Sequence, residues 1–223
     1  MKDYNKASYN IIETLISIFT VEKGVVKILL FKKKNDPYKG YWMLPGSIVG
    51  TDETAEENIE NYVLEICGFD NLFIEQSQVF STPTRIIDRR VIAVTFIGLI
   101  DSISVELKQE IPDTVESEWF SISAIPKMAY DHEQIVKKAI ENLKTKLINS
   151  NFLKILFPSD FTLPELQRVY EQILDKKLDR RNFRKKFINL GLIEDTGYKN
   201  EGYTGRPAKL YRFKEEIEER ELF

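Results

Sequence analysis

The basic residues around position 180 have the types and spacing that suit binding to a polyanion. Four of them fall on one face of a predicted helix, at Arg180, Arg181, Arg184 and Lys185. Arginine can donate two hydrogen bonds to the edge of one guanine, and both arginine and lysine neutralise phosphate groups. Apolar residues at intervening positions, such as Phe183, would anchor the opposite face of this helix on a core. The pattern therefore predicts a helix that enters the major groove of double-stranded DNA.

A glycine-rich segment downstream adds further cations beside this helix. Gly202 and Gly205 favour a turn between two short strands, and glycines allow the backbone to approach a phosphate closely. A helix pair followed by such a hairpin is typical of winged helix-turn-helix domains. The cations of this predicted wing are Lys199, Arg206 and Lys209.

The charge of the chain is distributed unevenly. The net charge is −3, yet residues 176–214 carry +8 and the remainder of the chain carries −11. An acidic protein with one strongly basic segment is typical of a polyanion-binding module joined to a different kind of domain. Charge alone leaves two alternatives open, a solvated lysine-rich helix face and a helical hairpin that docks another protein as an adaptor.

A second kind of chemistry is suggested by the glutamates between positions 53 and 65. The stretch Tyr41–Val49 and the later Glu65–Phe69 resemble the Nudix fold family, whose motif holds divalent metals for diphosphate cleavage. That motif opens with a glycine and a glutamate and continues with an Arg-Glu pair and a Glu-Glu pair on one helix. When Glu53 is aligned with its first glutamate, the opening glycine falls on Ser47.

Most of the metal ligands of that motif are replaced in this chain. The Arg-Glu pair falls on Asn61 and Tyr62, and the Glu-Glu pair falls on Glu65 and Ile66. Tyrosine and isoleucine at these positions cannot supply the carboxylate oxygens that magnesium requires. We therefore expect a protein that is not an enzyme and has no metal or other cofactor. The alternative is an active Nudix hydrolase that acts on nucleoside diphosphate derivatives.

The chain as a whole resembles the Nudix-related transcriptional regulators, in which a Nudix domain precedes a winged helix. The resemblance is most specific at Phe161–Tyr170, Leu178–Lys186 and Gly205–Phe213. It implies a homodimeric repressor that binds a palindromic operator and responds to a small effector. Within the family the implied effector is either ADP-ribose or a pentose such as L-arabinose.

Six residues outside the basic segment are candidates for binding the effector. Each is a charged or aromatic side chain close to the degenerate motif or between two strand-like stretches. A solvated strand end, a core aromatic or a charged hairpin tip would explain the same residues without a ligand. The loss of metal ligands weakens the case for a diphosphate, so the sequence favours a neutral sugar slightly over ADP-ribose. The candidates are Lys32, Trp42, Glu65, Arg85, Asp88 and Arg89.

The elements that must hold the effector-binding residues form an α+β domain. Apolar alternation and turn residues predict five strands, and 3.6-residue periodicity predicts two amphipathic helices. This combination fits a Nudix-like mixed-sheet α/β/α sandwich. His132, the only histidine, begins the second of these helices and is expected to be structural. The predicted strands are Leu15–Phe19, Val25–Phe31, Leu72–Phe80, Arg90–Ile100 and Glu116–Ile122, and the helices are Glu53–Cys67 and His132–Leu147.

The elements that must hold the basic residues begin after residue 150. Thr162 and Glu165 have the spacing of a capping box for a helix that reaches about Leu174. Asp179 caps a second helix, which ends near Gly191. With a boundary at residues 149–151, we predict an effector-binding domain over residues 1–150 and a winged helix over residues 151–223.

The composition of the chain limits which classes of protein remain possible. The chain has 223 residues, 43% of them hydrophobic and 30% charged, which is ordinary for a globular protein. Its single cysteine excludes an intrachain disulfide and provides too few thiolates for a structural zinc site. No apolar run is long enough to span a membrane. We therefore expect a cytoplasmic protein that has no membrane partner.

Overall fold

The computed structural model describes residues 10–69, 72–101, 111–149, 152–157, 160–200 and 207–214. Within these residues the strands form one sheet of seven and one sheet of three. The larger sheet belongs to the first part of the chain and the smaller sheet to the basic last part. No described helix has the length and apolar character that a membrane span requires.

The larger sheet is mixed, as predicted. Its main path runs β3-β2-β1-β6-β5, β4 pairs with β1, and β7 pairs with β2. Only the pairing of β1 with β6 is parallel among the described strands. The strands are β1 (Ile11–Glu22), β2 (Val25–Lys33), β3 (Trp42–Met43), β4 (Gly46–Ile48), β5 (Phe73–Phe80), β6 (Val91–Leu99) and β7 (Thr114–Ser121).

The hairpin of β1 and β2 divides partway along its length. The two strands pair only from Phe19↔Ile28 to Glu22↔Val25, next to the turn at Lys23 and Gly24. Further from the turn, β1 pairs with β4 through Glu13↔Ile48, and β2 pairs with β3 through Phe31↔Met43. Because the two strands take different partners, a cleft opens between them on the side away from the hairpin.

Helices cover both faces of this sheet and complete the predicted α/β/α sandwich. Helix α1 (Ala55–Tyr62) begins at a capping box of Thr54 and Glu57, and α2 (His132–Asn149) lies on the opposite face. The first core cluster includes Leu15 and Phe19 of β1 together with Leu143 of α2. The second places Ile16 and Ile18 of the same strand against Ile59 of α1. The alternation of β1 thus serves two cores, one on each face.

The end of the predicted first helix differs from a regular α-helix. Residues Val63–Cys67 continue α1 as a π-helical turn, and Gly68 ends it in the left-handed conformation with φ 75°. Single π-helical turns are frequent at functional sites because they shift side chains relative to the helix face. Helical periodicity in the sequence does not distinguish this turn from an ordinary α-helix.

The last part of the chain forms the predicted winged helix. Its elements are β8 (Phe161–Thr162), α3 (Leu163–Leu174), α4 (Arg180–Asn189), β9 (Ile193–Asn200) and β10 (Ala208–Phe213), preceded by a 3-10 turn at Phe152–Leu156. The predicted capping box of Thr162 and Glu165 is present, and Asp179 caps α4. Tyr170 of α3 packs edge-on against Phe183 and Phe187 of α4. These ring contacts fix the angle between the two helices.

The two parts share one apolar core. The cluster that contains Leu15 also contains Tyr170 and Phe213 of the winged helix. At the surface, the Gln172 side chain donates to the Gly24 carbonyl oxygen at 2.7 Å and accepts from the Val26 amide at 3.1 Å. The turn of the β1–β2 hairpin is therefore attached to α3. The boundary at residues 149–151 stays a prediction.

Candidate functional site

The cleft between the diverging ends of β1 and β2 contains a cavity of about 430 Å³. Strands β1, β2 and β4, helix α1 and the start of α2 all contribute side chains to its lining. Most of the lining is apolar, with a few polar groups at separate points, which is the usual composition of a small-molecule site. The polar lining side chains are Glu13, Ser47, Tyr62, Arg89, Asp113, Tyr130 and His132.

The positions that correspond to metal ligands in the Nudix motif have a different role here. Tyr62 and Ile66 line the cavity, whereas Glu65 is exposed and lies outside the lining. Burial raises the pKa of the Tyr62 hydroxyl, so this group stays protonated. Among the described residues, no group of three or more His, Cys, Asp or Glu side chains is placed to hold a metal. The donor set in the cavity therefore does not fit a divalent metal.

Glu53, the remaining motif glutamate, is engaged in the structure of its own loop. Its carboxylate accepts from the Gly50 amide at 2.6 Å and from the Asn58 side-chain amide at 2.9 Å. Asn58 is buried, and its amide oxygen accepts from the hydroxyls of Thr14 and Ser47. This network fixes the loop between β4 and α1 against β1.

Close packing of the same loop requires a glycine at position 46. A Cβ atom there would overlap the carbonyl oxygen of Thr14 on β1. The motif alignment placed the opening glycine at Ser47. The glycine that the fold requires lies one residue earlier, at Gly46. The cavity lining includes both residues.

Arg85 holds the loop before β6 in place across the rim of the cavity. Its guanidinium donates to Glu13 at 2.5 Å and to both carboxylate oxygens of Asp131 at 2.8 and 2.9 Å. The Arg85 side chain is 1% exposed, so this double pairing is protected from solvent. Arg85 thus positions the loop, and Arg89 provides the only cationic side chain among the described lining residues.

His132 has a structural contact at the start of α2. Its Nδ1 accepts from the Leu44 amide at 3.0 Å, and the ring is buried. Burial lowers the pKa of the imidazole to about 4, with a smaller opposing effect from Asp131. The ring is therefore neutral at physiological pH, as the structural role expected from the sequence requires.

The six predicted effector residues fall into two groups. Lys32, Trp42 and Glu65 lie outside the cavity lining, and Arg85, Asp88 and Arg89 lie together on one loop at its rim. The ammonium of Lys32 is 2.7 Å from a carboxylate oxygen of Glu116 and 5.6 Å from the Trp42 ring centroid. Trp42 packs edge-on against Phe120 at 4.5 Å, as a core aromatic does.

Sequence reasoning did not identify three residues that the structure brings to the cavity. Glu13 interrupts the apolar run of β1, and that interruption was the available signal. Asp113 and Tyr130 stand in loops, where no periodicity distinguishes a lining residue from a solvated one. Both have positive φ angles, of 53° and 52°, which only the structure reveals.

A smaller chamber adjoins the cavity at the loop of residues 81–90 between β5 and β6, called the Arg85 loop below. Its volume is about 300 Å³, and it shares Ile86, Arg89 and Tyr130 with the larger cavity. Pro37 and Tyr38 also line it. The two volumes therefore meet at a boundary that carries one cation and one aromatic ring.

The basic face of α4 is exposed and lies next to the wing. Arg180 and Arg184 border a cavity of about 140 Å³ between α3, α4 and β10, together with Lys209. The Lys209 ammonium lies 2.5 Å from the Asp195 carboxylate. Arg181 and Lys185 are exposed and lie outside this cavity. Lys199 is exposed on β9, and Arg206 lies outside the described residues.

Comparison with known proteins supports both parts of the chain. Residues 153–213 match the NrtR DNA-binding winged helix domain. Over 221 residues the chain is 31% identical to the ADPR responsive transcriptional repressor NtrR of Acinetobacter baylyi, covering 96% of this chain and 86% of that protein. It is also 40% identical over 111 residues to the ADP-ribose pyrophosphatase of Methanocaldococcus jannaschii, covering 50% of this chain and 64% of that one.

Solved structures have the same architecture. An NrtR of Shewanella oneidensis in complex with a 27mer DNA aligns with a TM-score of 0.73 and 28% identity, covering 91% of this chain and 93% of that one. A MutT/nudix family protein of Enterococcus faecalis aligns with a TM-score of 0.71 over 96% of this chain and 90% of that one, and its 23% identity supports the fold alone.

The match to the Acinetobacter repressor over 96% of this chain and the match to the winged helix domain agree with the two-part architecture. A Nudix-like domain, in whose described residues no three potential metal ligands are grouped, precedes a winged helix with an exposed basic face. The chain therefore belongs to the NrtR family of Nudix-related transcriptional regulators, and it is a DNA-binding member of that family.

Proposed function

We propose that this chain is a repressor that binds its operator through α4 and the wing and responds to ADP-ribose. The observation that carries the proposal is the cavity itself, where Tyr62 and Ile66 replace metal ligands and Arg89 supplies a cation. A ligand can enter such a cavity without being cleaved. Two relatives are named for ADP-ribose, one as a responsive repressor and one as a pyrophosphatase, which supports this ligand.

The lining of the cavity favours ADP-ribose over a pentose. A free sugar is covered with hydroxyl groups, and each buried hydroxyl requires a hydrogen-bond partner. Most lining side chains are apolar, and a volume of about 430 Å³ suits a ligand much larger than one sugar. The single cation of the lining suits a phosphate group. These features reverse the slight preference for L-arabinose that the sequence suggested.

The cations of α4 fall into two groups that we expect to contact different parts of the DNA. Arg180 and Arg184 border one cavity with Lys209 of the wing, whose ammonium also pairs with Asp195, and we assign these cations to a backbone phosphate. Arg181 and Lys185 are exposed and lie outside that cavity, and we assign them to base edges. As a homodimer, the protein would contact half-sites about 34 Å apart on a palindromic operator.

Titration of operator binding tests the proposed function. The affinity of the full chain for operator DNA is measured with EDTA present, alone and with ADP-ribose or L-arabinose. We expect ADP-ribose to change the apparent affinity at least tenfold and L-arabinose to leave it unchanged. A response to L-arabinose alone would contradict the proposed effector. The alternative is an active hydrolase, and the 40% identity to an ADP-ribose pyrophosphatase is the reason to test it. A parallel assay measures cleavage of ADP-ribose in the presence of magnesium, and turnover there would support the alternative.

A further inference from the structure

We propose that the smaller chamber beside the cavity binds the aromatic base of a nucleotide effector. The inference rests on the proposed function and assigns the parts of the ligand to the two volumes. The chamber of about 300 Å³ meets the cavity of about 430 Å³ at Ile86, Arg89 and Tyr130. A ligand with a base at one end and a sugar at the other can therefore occupy both.

The walls of the chamber have the chemistry that a planar base requires. Tyr38 and Tyr130 lie edge to face with ring centroids 4.7 Å apart, and both are half-buried. Ile86 and Ile87 of the same lining supply apolar surface. Aromatic rings beside apolar side chains offer a surface on which a base stacks without regard to its hydrogen-bonding edge.

The backbone around the chamber is held in an uncommon conformation. Tyr38 and Tyr130 have φ angles of 70° and 52°, and Asp113 of the neighbouring cavity has 53°. Left-handed φ is unfavourable for bulky side chains and persists where surrounding contacts enforce it, which is frequent at ligand sites. In the neighbouring cavity, Lys33 and Asn35 hold Asp113 through their side chains. At the chamber itself, the Tyr41 amide donates to the Tyr38 carbonyl oxygen at 3.0 Å, and the Tyr130 ring packs against His132 at 5.5 Å.

The junction between the two volumes suits the phosphate of such a ligand. Arg89 lines both volumes, while the neighbouring Arg85 is already paired with Glu13 and Asp131. A phosphate group placed at the junction would meet the Arg89 guanidinium with the base on one side and the sugar on the other.

The rim of the chamber also exposes an apolar side chain that a base would cover. Ile87 is 86% exposed at the tip of the loop and is the most exposed large hydrophobic residue described. Covering this side chain with a bound ring removes apolar surface from water, which favours binding.

A comparison of ligands with and without the base tests the assignment. The full chain is titrated calorimetrically with ADP-ribose, AMP and ribose 5-phosphate, as wild type and as the Tyr38→Ala variant. Because stacking on one aromatic ring is worth about a tenfold change in affinity, we expect Tyr38→Ala to weaken ADP-ribose and AMP about tenfold. Ribose 5-phosphate, which lacks the base, should bind both proteins equally.

Two further variants distinguish a lost contact with the base from an effect of the substitution on folding. The first is Tyr41→Ala, which removes the ring whose centroid lies 5.7 Å from that of Tyr38. Because Tyr41 lines neither volume, this variant should leave all three affinities unchanged. Ile87→Ser alters a side chain too exposed to support the fold and should weaken only the two base-containing ligands. Equal losses for AMP and ribose 5-phosphate, or no loss for AMP in either chamber variant, would overturn the assignment.

The same titration separates this inference from the proposed function. If wild type binds ADP-ribose and both chamber variants bind it equally well, only the chamber assignment fails. If wild type binds neither ADP-ribose nor AMP, the proposed effector and the chamber assignment fail together.

Discussion

At Tyr62 and Ile66, two side chains that cannot ligate a metal form part of the cavity wall. In a hydrolase of this fold, carboxylates at those positions would be balanced by divalent ions. Their replacement by neutral side chains removes the need for such ions and leaves a phenol and an aliphatic side chain in the cavity lining. This change at two positions is the residue-level basis for proposing a site that binds a ligand without cleaving it.

Arg89 is the cation on which effector binding should depend. Replacement by alanine removes a charge-assisted hydrogen bond to phosphate, so we expect Arg89→Ala to weaken ADP-ribose binding about ten- to a hundredfold. Lys32→Ala is the matched control, because Lys32 is paired with Glu116 and lies outside the lining. Calorimetric titration measures both variants, and equal losses in the two would show that Arg89 has no specific role.

His132 should make the stability of the fold depend on pH. Burial lowers the pKa of the imidazole from 6.5 to about 4, so the unfolded chain binds this proton more readily than the folded chain. The contribution is fully present above pH 6.5 and is lost as the pH falls toward 4. It amounts to about 3 kcal/mol in the free energy of unfolding.

The variant His132→Gln isolates this contribution from that of the carboxylates. Glutamine can accept from the Leu44 amide but does not titrate. Between pH 6.5 and 5, urea unfolding should show a smaller loss of stability for the variant than for wild type. The same loss in both proteins would mean that another group causes it.

Helix α4 presents two rows of cations that we expect to act differently. Arg180 and Arg184 border one cavity together with Lys209, and Arg181 lies outside it. Because a phosphate contact carries no sequence information, Arg184→Ala should weaken operator and random DNA alike and lower the salt slope by about 0.9. Arg181→Ala should cost about 1–3 kcal/mol on the operator and little on random DNA.

Salt-dependent binding to both DNAs measures these differences. The double variant Arg180→Ala/Arg181→Ala should abolish specific binding and leave ADP-ribose affinity intact, because α4 lies outside the effector cavity. Unchanged operator affinity in the double variant would refute the placement of α4 as the recognition helix.

The two parts of the molecule are joined along the β1–β2 hairpin. Strand β1 lines the cavity at one end, through Glu13 and Leu15, and reaches the winged helix at the other. Gly24 at the turn packs so closely on α3 that a Cβ atom there would lie 3.3 Å from the Glu165 Cα. A strand fixed at both ends can transmit a change at the cavity to the helix that orients α4.

Gln172 is the residue through which we expect this coupling to pass. Gln172→Ala removes its two hydrogen bonds to the hairpin and should lower the free energy of unfolding by about 1 kcal/mol. We expect the effect of saturating ADP-ribose on operator affinity to shrink several-fold, while affinity for ADP-ribose stays the same. Gln134→Ala, at an exposed position of α2, is the control. Full retention of the ADP-ribose effect in Gln172→Ala would exclude this route.

Local signals in the sequence were sufficient to predict most elements. The capping box of Thr162 and Glu165, the cap at Asp179 and the apolar periodicity of α2 depend on neighbours within a few residues. The short strands β3, β4 and β8 and the π-helical turn after α1 were missed, because none of them has a periodicity of its own. The charge of residues 176–214 predicted a DNA-binding face for the same local reason.

The cavity was decided by tertiary structure. Arg85 meets Glu13 and Asp131, which are 72 and 46 residues away in the chain, and no local pattern links them. Likewise, the presence of Arg89 rather than Lys32 in the cavity lining depends on how the loop and β2 are placed by the sheet register. The sequence by itself determined most elements, the basic face of α4 and the loss of metal ligands, since these depend on residue type and short spacing. Only the folded sheet determined which distant side chains converge on the cavity, because convergence depends on pairing between strands far apart in sequence.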